Sequence, residues 1–393
     1  MRNKIAYVFM RELSISDTFS ISDLRNLKRE NIKISVLSIL KKKRQNPSFF
    51  DEGISFYQPN TRSLLNIVRC PFIFIDALIF VLKANKFDFK NLIKNLYIIP
   101  SSIQVLKNLK EIKPKVVHLF WGHYPSLVGY LVLKHLKESK LSMFLGAYDV
   151  HTNNPLTKIV GNRSHFLITH SSSNISLIKE KIGINRNIEV IERGVDTEYL
   201  NINEKKITRC HKSMVYAGRL IKDKNIETVI DVYSESQKLF PYLKLDIYGD
   251  GDRKNFLLQY AKKVSPNGVI NFHGEVNQKI LAKKLRQANI FVFTSVKKGE
   301  VLPNALKEAM FAGCVCITTY TPGIEMLIDD RINGFIENNS VLEISSRIRK
   351  ILSYDDKRLK FIRSMAQKKI HNDFSAIDSM NKYIKLWEIN THS

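Results

Sequence analysis

Cysteine is scarce in this chain of 393 residues and is not spaced for bonding. The four, Cys70, Cys210, Cys314 and Cys316, form no C-x-x-C and no paired ligand spacing, which argues against a disulfide framework. Cys314 and Cys316 alternate along an expected strand and so face one buried side, and free buried thiols fit a reducing compartment. No run of about 18 apolar residues occurs, so no membrane-spanning helix is expected. The amino terminus, MRNKIAYVFM, has only a short apolar run that continues as a strand, unlike a signal peptide. Acidic residues are few, 37 against 62 Lys and Arg, leaving a formal charge of +25. That balance favours acidic partners such as nucleotide phosphates, polyprenyl phosphates or an anionic membrane surface. Nucleic acid is not expected, because interleaved aromatics and any recognised binding module are missing.

A chain of this length can bury a large core and is expected to divide into about two domains. Ile5–Met10 reads as an opening strand, followed by a loop, a helix with Phe19, Leu24 and Leu27 inward, and a strand at Ile32–Leu40. This β-loop-α-β order begins a doubly wound α/β half. Further strands are expected at Val116–Trp121, Leu141–Leu145 and Phe166–Thr169. Thr197–Lys212 is polar and aperiodic, so the domain junction is placed there. The divisions are 1–205, 206–370, and a final stretch, 371–393, whose last helix crosses back onto the first domain.

Within the second half, Asn289–Gly313 is the most informative stretch. Ile290–Phe293 has the length of one buried strand, and a polar loop then runs to Glu300. Pro303 opens a helical pattern with Leu306, Ala309 and Met310 on one face and Gly313 at its stop. Cys314–Thr319 completes a strand–loop–helix–strand unit of the parallel kind. The loop therefore opens at the amino end of a helix, where unpaired amides and the helix dipole favour anions. Glu300 and Glu308, eight residues apart, flank that place. An anion site framed by two carboxylates suits a ligand bearing both phosphates and hydroxyls, such as a sugar nucleotide.

Taken together, the residues Glu300-Val-Leu-Pro303-Asn304-Ala-Leu-Lys-Glu308-Ala-Met resemble the E-x7-E signature of retaining glycosyltransferases of family 4, the group 1 transferases of GT-B fold. Gly218-Arg219-Leu-Ile-Lys222-Asp-Lys224-Asn225 is similar to that family's G-R-L-x-x-x-K-G. There the resemblance implies that Arg219 and Lys224 grip the donor diphosphate, a guanidinium bidentately and an ammonium as a point charge. Asn225 stands for the usual Gly and tolerates a left-handed turn. Gly249-Asp-Gly-Asp252 resembles the family's G-D-G-P turn, so Asp250 and Asp252 are not read as a metal-binding D-x-D and no metal is expected. His273–Val276 is similar to the segment whose backbone frames the nucleotide base. Thr321-Pro-Gly323-Ile-Glu325, Asn333-Gly334 and Val190–Asp196 also match in order.

The first half resembles the family more thinly. The loop FMRELSISDTFSISDL is similar to the opening segment of the branch that builds bacterial exopolysaccharide and O-antigen, which implies that Ser16–Thr18 line the cleft. Ser16 or Asp17 as a plain helix cap is the other reading. Gly146-Ala-Tyr-Asp149 matches a family segment that normally begins with His near the reacting sugar. Gly146 replaces that His, while Asp149 is retained; His123 and His151 are the candidates to stand in. Leu64–Leu82 is rich in apolar residues. It reads either as a buried helix of the first domain or, with Lys83, Lys86, Lys90 and Lys94, as a surface that docks on membrane and lipid-linked acceptor. Lys41–Arg44 reads as a solvated basic loop.

The resemblance implies two doubly wound Rossmann-like domains with an interdomain cleft. It implies a retaining transfer of a sugar from a nucleoside diphosphate sugar to a saccharide acceptor, one linked to polyprenyl diphosphate in surface polysaccharide synthesis. The alternative is a catalytically silent sugar-nucleotide-binding subunit of an assembly complex. Glu300, Arg219, Lys224 and Asp149 are the expected catalytic residues, with Gly218, Val276, Asn304, Glu308 and Thr18 binding the donor. No cofactor is expected, and the expected location is cytoplasmic, at the inner face of the membrane.

Overall fold

The structure is a computed structural model and describes residues 4–13, 17–41, 54–59, 61–86, 88–201, 208–296, 300, 302–321 and 323–389. Ser16 and most of the basic run Lys41–Arg44 lie outside the described residues. The chain forms two compact units, Met1–Arg193 with Ile377–Ser393, and Gly194–Ala376.

Unit 1 holds a parallel sheet of seven strands: β1 Lys4–Arg11, β2 Lys33–Leu40, β3 Ile54–Tyr57, β4 Val116–Phe120, β5 Lys140–Phe144, β6 Phe166–Thr169 and β7 Glu189–Val190, in the order β3-β2-β1-β4-β5-β6-β7. Strands covered on both faces must be apolar throughout, and β1 shows why the sheet forms here. Ala6 and Val8 point into one core with Leu119 and Met143. Ile5, Tyr7 and Phe9 point into the other, with Phe120 and Phe144. That second face is closed by Met380 and Tyr383 of the helix Ala376–Leu386 and by the fully buried Trp387 just after it. The Trp387 indole donates to Ser142 Oγ (2.9 Å), which also meets His118 Nδ1 (2.9 Å).

Unit 2 repeats the plan with β8 Ser213–Ala217, β9 Lys244–Tyr248, β10 Val269–Gly274, β11 Ile290–Phe293, β12 Val315–Thr319 and β13 Phe335–Glu337, again all parallel and ordered β10-β9-β8-β11-β12-β13. In both sheets the order reverses beside the first strand, between β1 and β4 and between β8 and β11. Crevices outside the carboxyl ends of such strands are where open α/β sheets take ligands.

Three expectations are amended. The units change over at 193/194 and 376/377 rather than at 205/206 and 370/371. Val195 bridges to Ser375 and exchanges backbone hydrogen bonds with Phe374 and Ala376, so both ends of unit 2 are tied together there. Polar composition marks only the stretch that follows. Pro303 is the cap residue before the helix Asn304–Phe311, not its first helical residue. The stretch Leu64–Leu82 is not one buried helix. It breaks at Cys70, where φ is −136° and ψ 58°, and in the helix Pro71–Ala84 only Ala77 and Val81 are buried.

Candidate functional site

In unit 2 the loops after β8 and β11 are bonded to each other. Thr294 Oγ1 donates to the Asn225 carbonyl (2.8 Å), and the Val296 amide donates to the Asp223 carbonyl (3.0 Å), which also lies 3.2 Å from Ser295 Oγ. This clamp brings Lys224, at the end of the 3-10 turn Lys222–Lys224, onto Glu300. The ion pair joins Lys224 Nζ to Glu300 Oε1, with side chains 9% and 15% exposed. Ser295 Oγ donates to the other carboxylate oxygen, and Lys224 Nζ lies 4.9 Å from the centre of the Phe293 ring. Asn225 takes the left-handed conformation the turn demands, φ +50°.

The other residues expected from sequence in unit 2 follow the carboxyl ends of its strands β8, β10 and β11. Arg219 is exposed at the end of β8, and Gly218 packs over the ring of Tyr216. The Tyr216 hydroxyl is buried without a hydrogen-bond partner among the described residues. Burial and the Glu300 charge push it well above the usual phenol range, while Arg219 pulls the other way. Gly249 follows β9 with φ +133°, and any side chain there would enter the backbone of Gly218, so only glycine lets these two turns meet. Asn304 opens the helix whose second turn carries Glu308. The Gln278 amide donates to Glu308 Oε1 (2.9 Å). Val276 is half-buried against the core just before Gln278. Ser295, Gln278 and Tyr216 were not expected from sequence; they are ordinary residue types whose importance lies in contacts across elements.

Burial pushes the Glu308 carboxyl above its ordinary range, while the Gln278 amide and the Lys307 charge lower it. Among the described residues no group of three His, Cys, Asp or Glu is arranged to hold a metal ion. All four cysteines are free, and Cys314 and Cys316 are both buried, with burial raising the Cys314 thiol to about 11.

Unit 1 has its own arrangement beside β1 and β4. Asp149 is buried, and its carboxylate is fully engaged. Oδ1 accepts from the Gly122 amide (2.7 Å), the His123 amide and His123 Nδ1 (both 3.2 Å), and Oδ2 accepts from the Gly146 amide (3.0 Å). Asp149 thus ties the loop after β4 to the loop after β5, the work of a positioning residue. His123 Nε2 lies 3.0 Å from Met10 Sδ at the end of β1. His151 is exposed. Thr18 is half-buried at the start of the helix Thr18–Arg29, and Asp17 before it makes no side-chain capping bond. Gly146 has a steric cause. A Cβ there would run into the indole of Trp121, which itself holds an unusual φ of +77°.

Two parallel-sheet α/β units with these topologies define the GT-B class of fold. Anabaena HepE, solved in complex with UDP-glucose, superposes with a TM-score of 0.73 at 13% identity over 98% of this chain and 99% of that one. Residues 200–368 match the family described as glycosyl transferases group 1. That match takes in most of unit 2, and the chain is a glycosyltransferase. An uncharacterized glycosyltransferase of Methanocaldococcus jannaschii is 25% identical over 291 residues, 72% of this chain and 70% of that protein. The Escherichia coli UDP-Gal:alpha-D-GlcNAc-diphosphoundecaprenol alpha-1,3-galactosyltransferase is 26% identical over 237 residues, 57% of this chain and 60% of that protein.

Two outcomes are expected from these geometries. Gly146→His must displace Trp121, and overpacking of this kind costs about 1–3 kcal/mol in denaturant unfolding; unchanged stability would contradict the steric account. Glu308 binds its proton more tightly folded than unfolded, so its ionisation lowers stability as pH rises from the ordinary carboxylate range through its raised value. Glu308→Gln is therefore expected to melt above wild type at neutral pH, with the difference shrinking toward pH of about 4. A difference independent of pH would count against it.

Proposed function

We propose that the chain is a retaining transferase that moves a hexose-type sugar from a nucleoside diphosphate sugar to a hydroxyl of a saccharide acceptor. The observation that carries this reading is the meeting of Lys224 with Glu300 beside the Asn304 helix start. It puts a cation, a carboxylate and helix amides at one sheet crevice, as a diphosphate joined to a sugar requires. In this reading Arg219 and Lys224 neutralise charge growing on the leaving diphosphate, where fixed cations help most. No metal is needed for that step. Glu300 holds donor-sugar hydroxyls, Glu308 the ribose hydroxyls, and Asn304 with its neighbouring amides the phosphates or sugar. Gly218 and Val276 let backbone approach the nucleotide. The bond from the anomeric carbon to the phosphate oxygen breaks as the acceptor oxygen bonds on the same face, and the acceptor proton passes to the departing oxygen. No dedicated base is then required, which fits a chain with Gly146 in place of the family His.

Unit 1, with the loops tied by Asp149, takes the acceptor in this reading. The galactosyltransferase relative is named for a diphosphoundecaprenol-linked acceptor, and HepE was solved with UDP-glucose. These support a UDP-sugar donor and a lipid-linked saccharide in surface polysaccharide synthesis, at the inner face of the cytoplasmic membrane. A second reading, a silent donor-binding subunit, is favoured by the Trp121 indole filling the space beside Gly146.

Release of nucleoside diphosphate with acceptor present separates the two. Turnover is expected in wild type, with an α-anomeric product by proton NMR from an α-linked donor. Arg219→Ala is expected to lower kcat by about 10²–10³-fold, and Glu308→Ala to raise the donor KM. Normal turnover in both variants would overturn the assignment, and donor binding without any turnover would favour the silent subunit.

A further inference from the structure

Exposed large apolar side chains are concentrated in one short part of unit 1. Leu64, Leu65, Val68, Phe72, Ile75, Ile79, Leu82, Phe89, Ile93 and Tyr97 all face solvent, with Phe72 86%, Val68 79% and Phe89 78% exposed. Helical spacing explains the pattern. Phe72, Ile75, Ile79 and Leu82 form one outward stripe of the helix Pro71–Ala84, and Phe89, Ile93 and Tyr97 form one on the helix Phe89–Tyr97. Ser63–Arg69 and Pro71–Ala84 meet at 105°, so they make no straight apolar rod.

The inner sides of these elements are fixed. Asn66 donates to the Pro100 carbonyl (3.3 Å) and Gln104 Oε1 (3.1 Å), and the buried Asn95 donates to Asn85 Oδ1 (3.1 Å) and Asn154 Oδ1 (3.2 Å). Phe80 stacks on Tyr130 with ring centres 3.7 Å apart. The outward stripes are thus the front of an anchored layer. Such a contiguous exposed apolar surface marks an interaction site.

Charge identifies the occupant. Arg69, Lys83, Lys86, Lys90 and Lys94 are exposed among the apolar residues. Of the acidic groups between 63 and 97, Asp76 is engaged by Lys134, His135 and Tyr130, and Asp88 caps the Phe89–Tyr97 helix through the Asn91 amide. A second copy laid face to face would bring lysines against lysines in a chain already carrying +25. Anionic lipid headgroups satisfy the lysines while the acyl boundary takes the apolar side chains.

We propose that this layer lies on an anionic bilayer, with Phe72, Ile79 and Ile93 entering the acyl boundary and Lys83, Lys90 and Lys94 held at the headgroups. The proposal does not depend on the donor site of unit 2. It is tested by co-sedimentation with phosphatidylglycerol-containing vesicles, with pure phosphatidylcholine vesicles for comparison. Wild type is expected to bind the anionic vesicles and to release them as salt rises. The variants Phe72→Ser/Ile79→Ser/Ile93→Ser and Lys83→Glu/Lys90→Glu/Lys94→Glu are each expected to bind at least about tenfold more weakly. Insertion is read separately in Phe72→Trp, a single change at an exposed position, as quenching by acyl-brominated lipid. Three results would overturn the proposal: no binding to anionic vesicles at low salt, no quenching in Phe72→Trp, or a solution dimer that the apolar variant abolishes.

Discussion

The ion pair between Lys224 and Glu300 is the contact on which the proposed donor site depends. A mostly buried ammonium is stable only where an anion compensates it, and removing one partner leaves the other buried and uncompensated. Here the anion is held in turn by Ser295, and both loops are fixed by hydrogen bonds onto the Asp223 and Asn225 carbonyls. The pair is weak evidence for stability as such. It keeps a positive charge and a carboxylate within one crevice, against the face of Phe293. In the proposed reading, a diphosphate arriving there meets a cation whose position needs little reorganisation, which is the condition for strong electrostatic stabilisation of a leaving group.

Unit 1 solves a related problem with opposite charge. The Asp149 carboxylate gathers the amides of Gly122, His123 and Gly146, so one buried anion joins the ends of two strands. The same carboxylate orients His123, whose other ring nitrogen reaches Met10. Trp121 then occupies the room that a side chain at 146 would need. The replacement of the family His by glycine is thus coupled to an aromatic residue that lies 25 positions earlier in the chain, a pairing visible only in three dimensions.

Much of the fold was legible because parallel strands buried on both faces are continuous apolar runs. Ile290–Phe293 and Phe166–Thr169 agree with their expected limits, and the central strands of both sheets lie within a residue or two. The short edge strands β3, β7 and β13, of four, two and three residues, carry too little pattern to be recognised. Motif spacing singled out Arg219, Lys224, Glu300 and Glu308, yet Lys224 and Glu300 are 76 residues apart and only the β8 and β11 loops unite them. Their supports, Ser295 and Gln278, belong to no local pattern. The apolar stretch before residue 82 was ambiguous for a physical reason: apolar residues on both sides of a helix read as burial, and only the fold shows which side is left uncovered.

The most direct measurement is a calorimetric titration of UDP-, GDP-, ADP- and CMP-sugars onto wild type and Lys224→Met, without added metal. The account predicts that one nucleotide class binds wild type and loses at least about tenfold in affinity in the variant, as removal of a charge-assisted phosphate contact requires. Equal binding to both proteins, or binding of no donor to wild type, would contradict it.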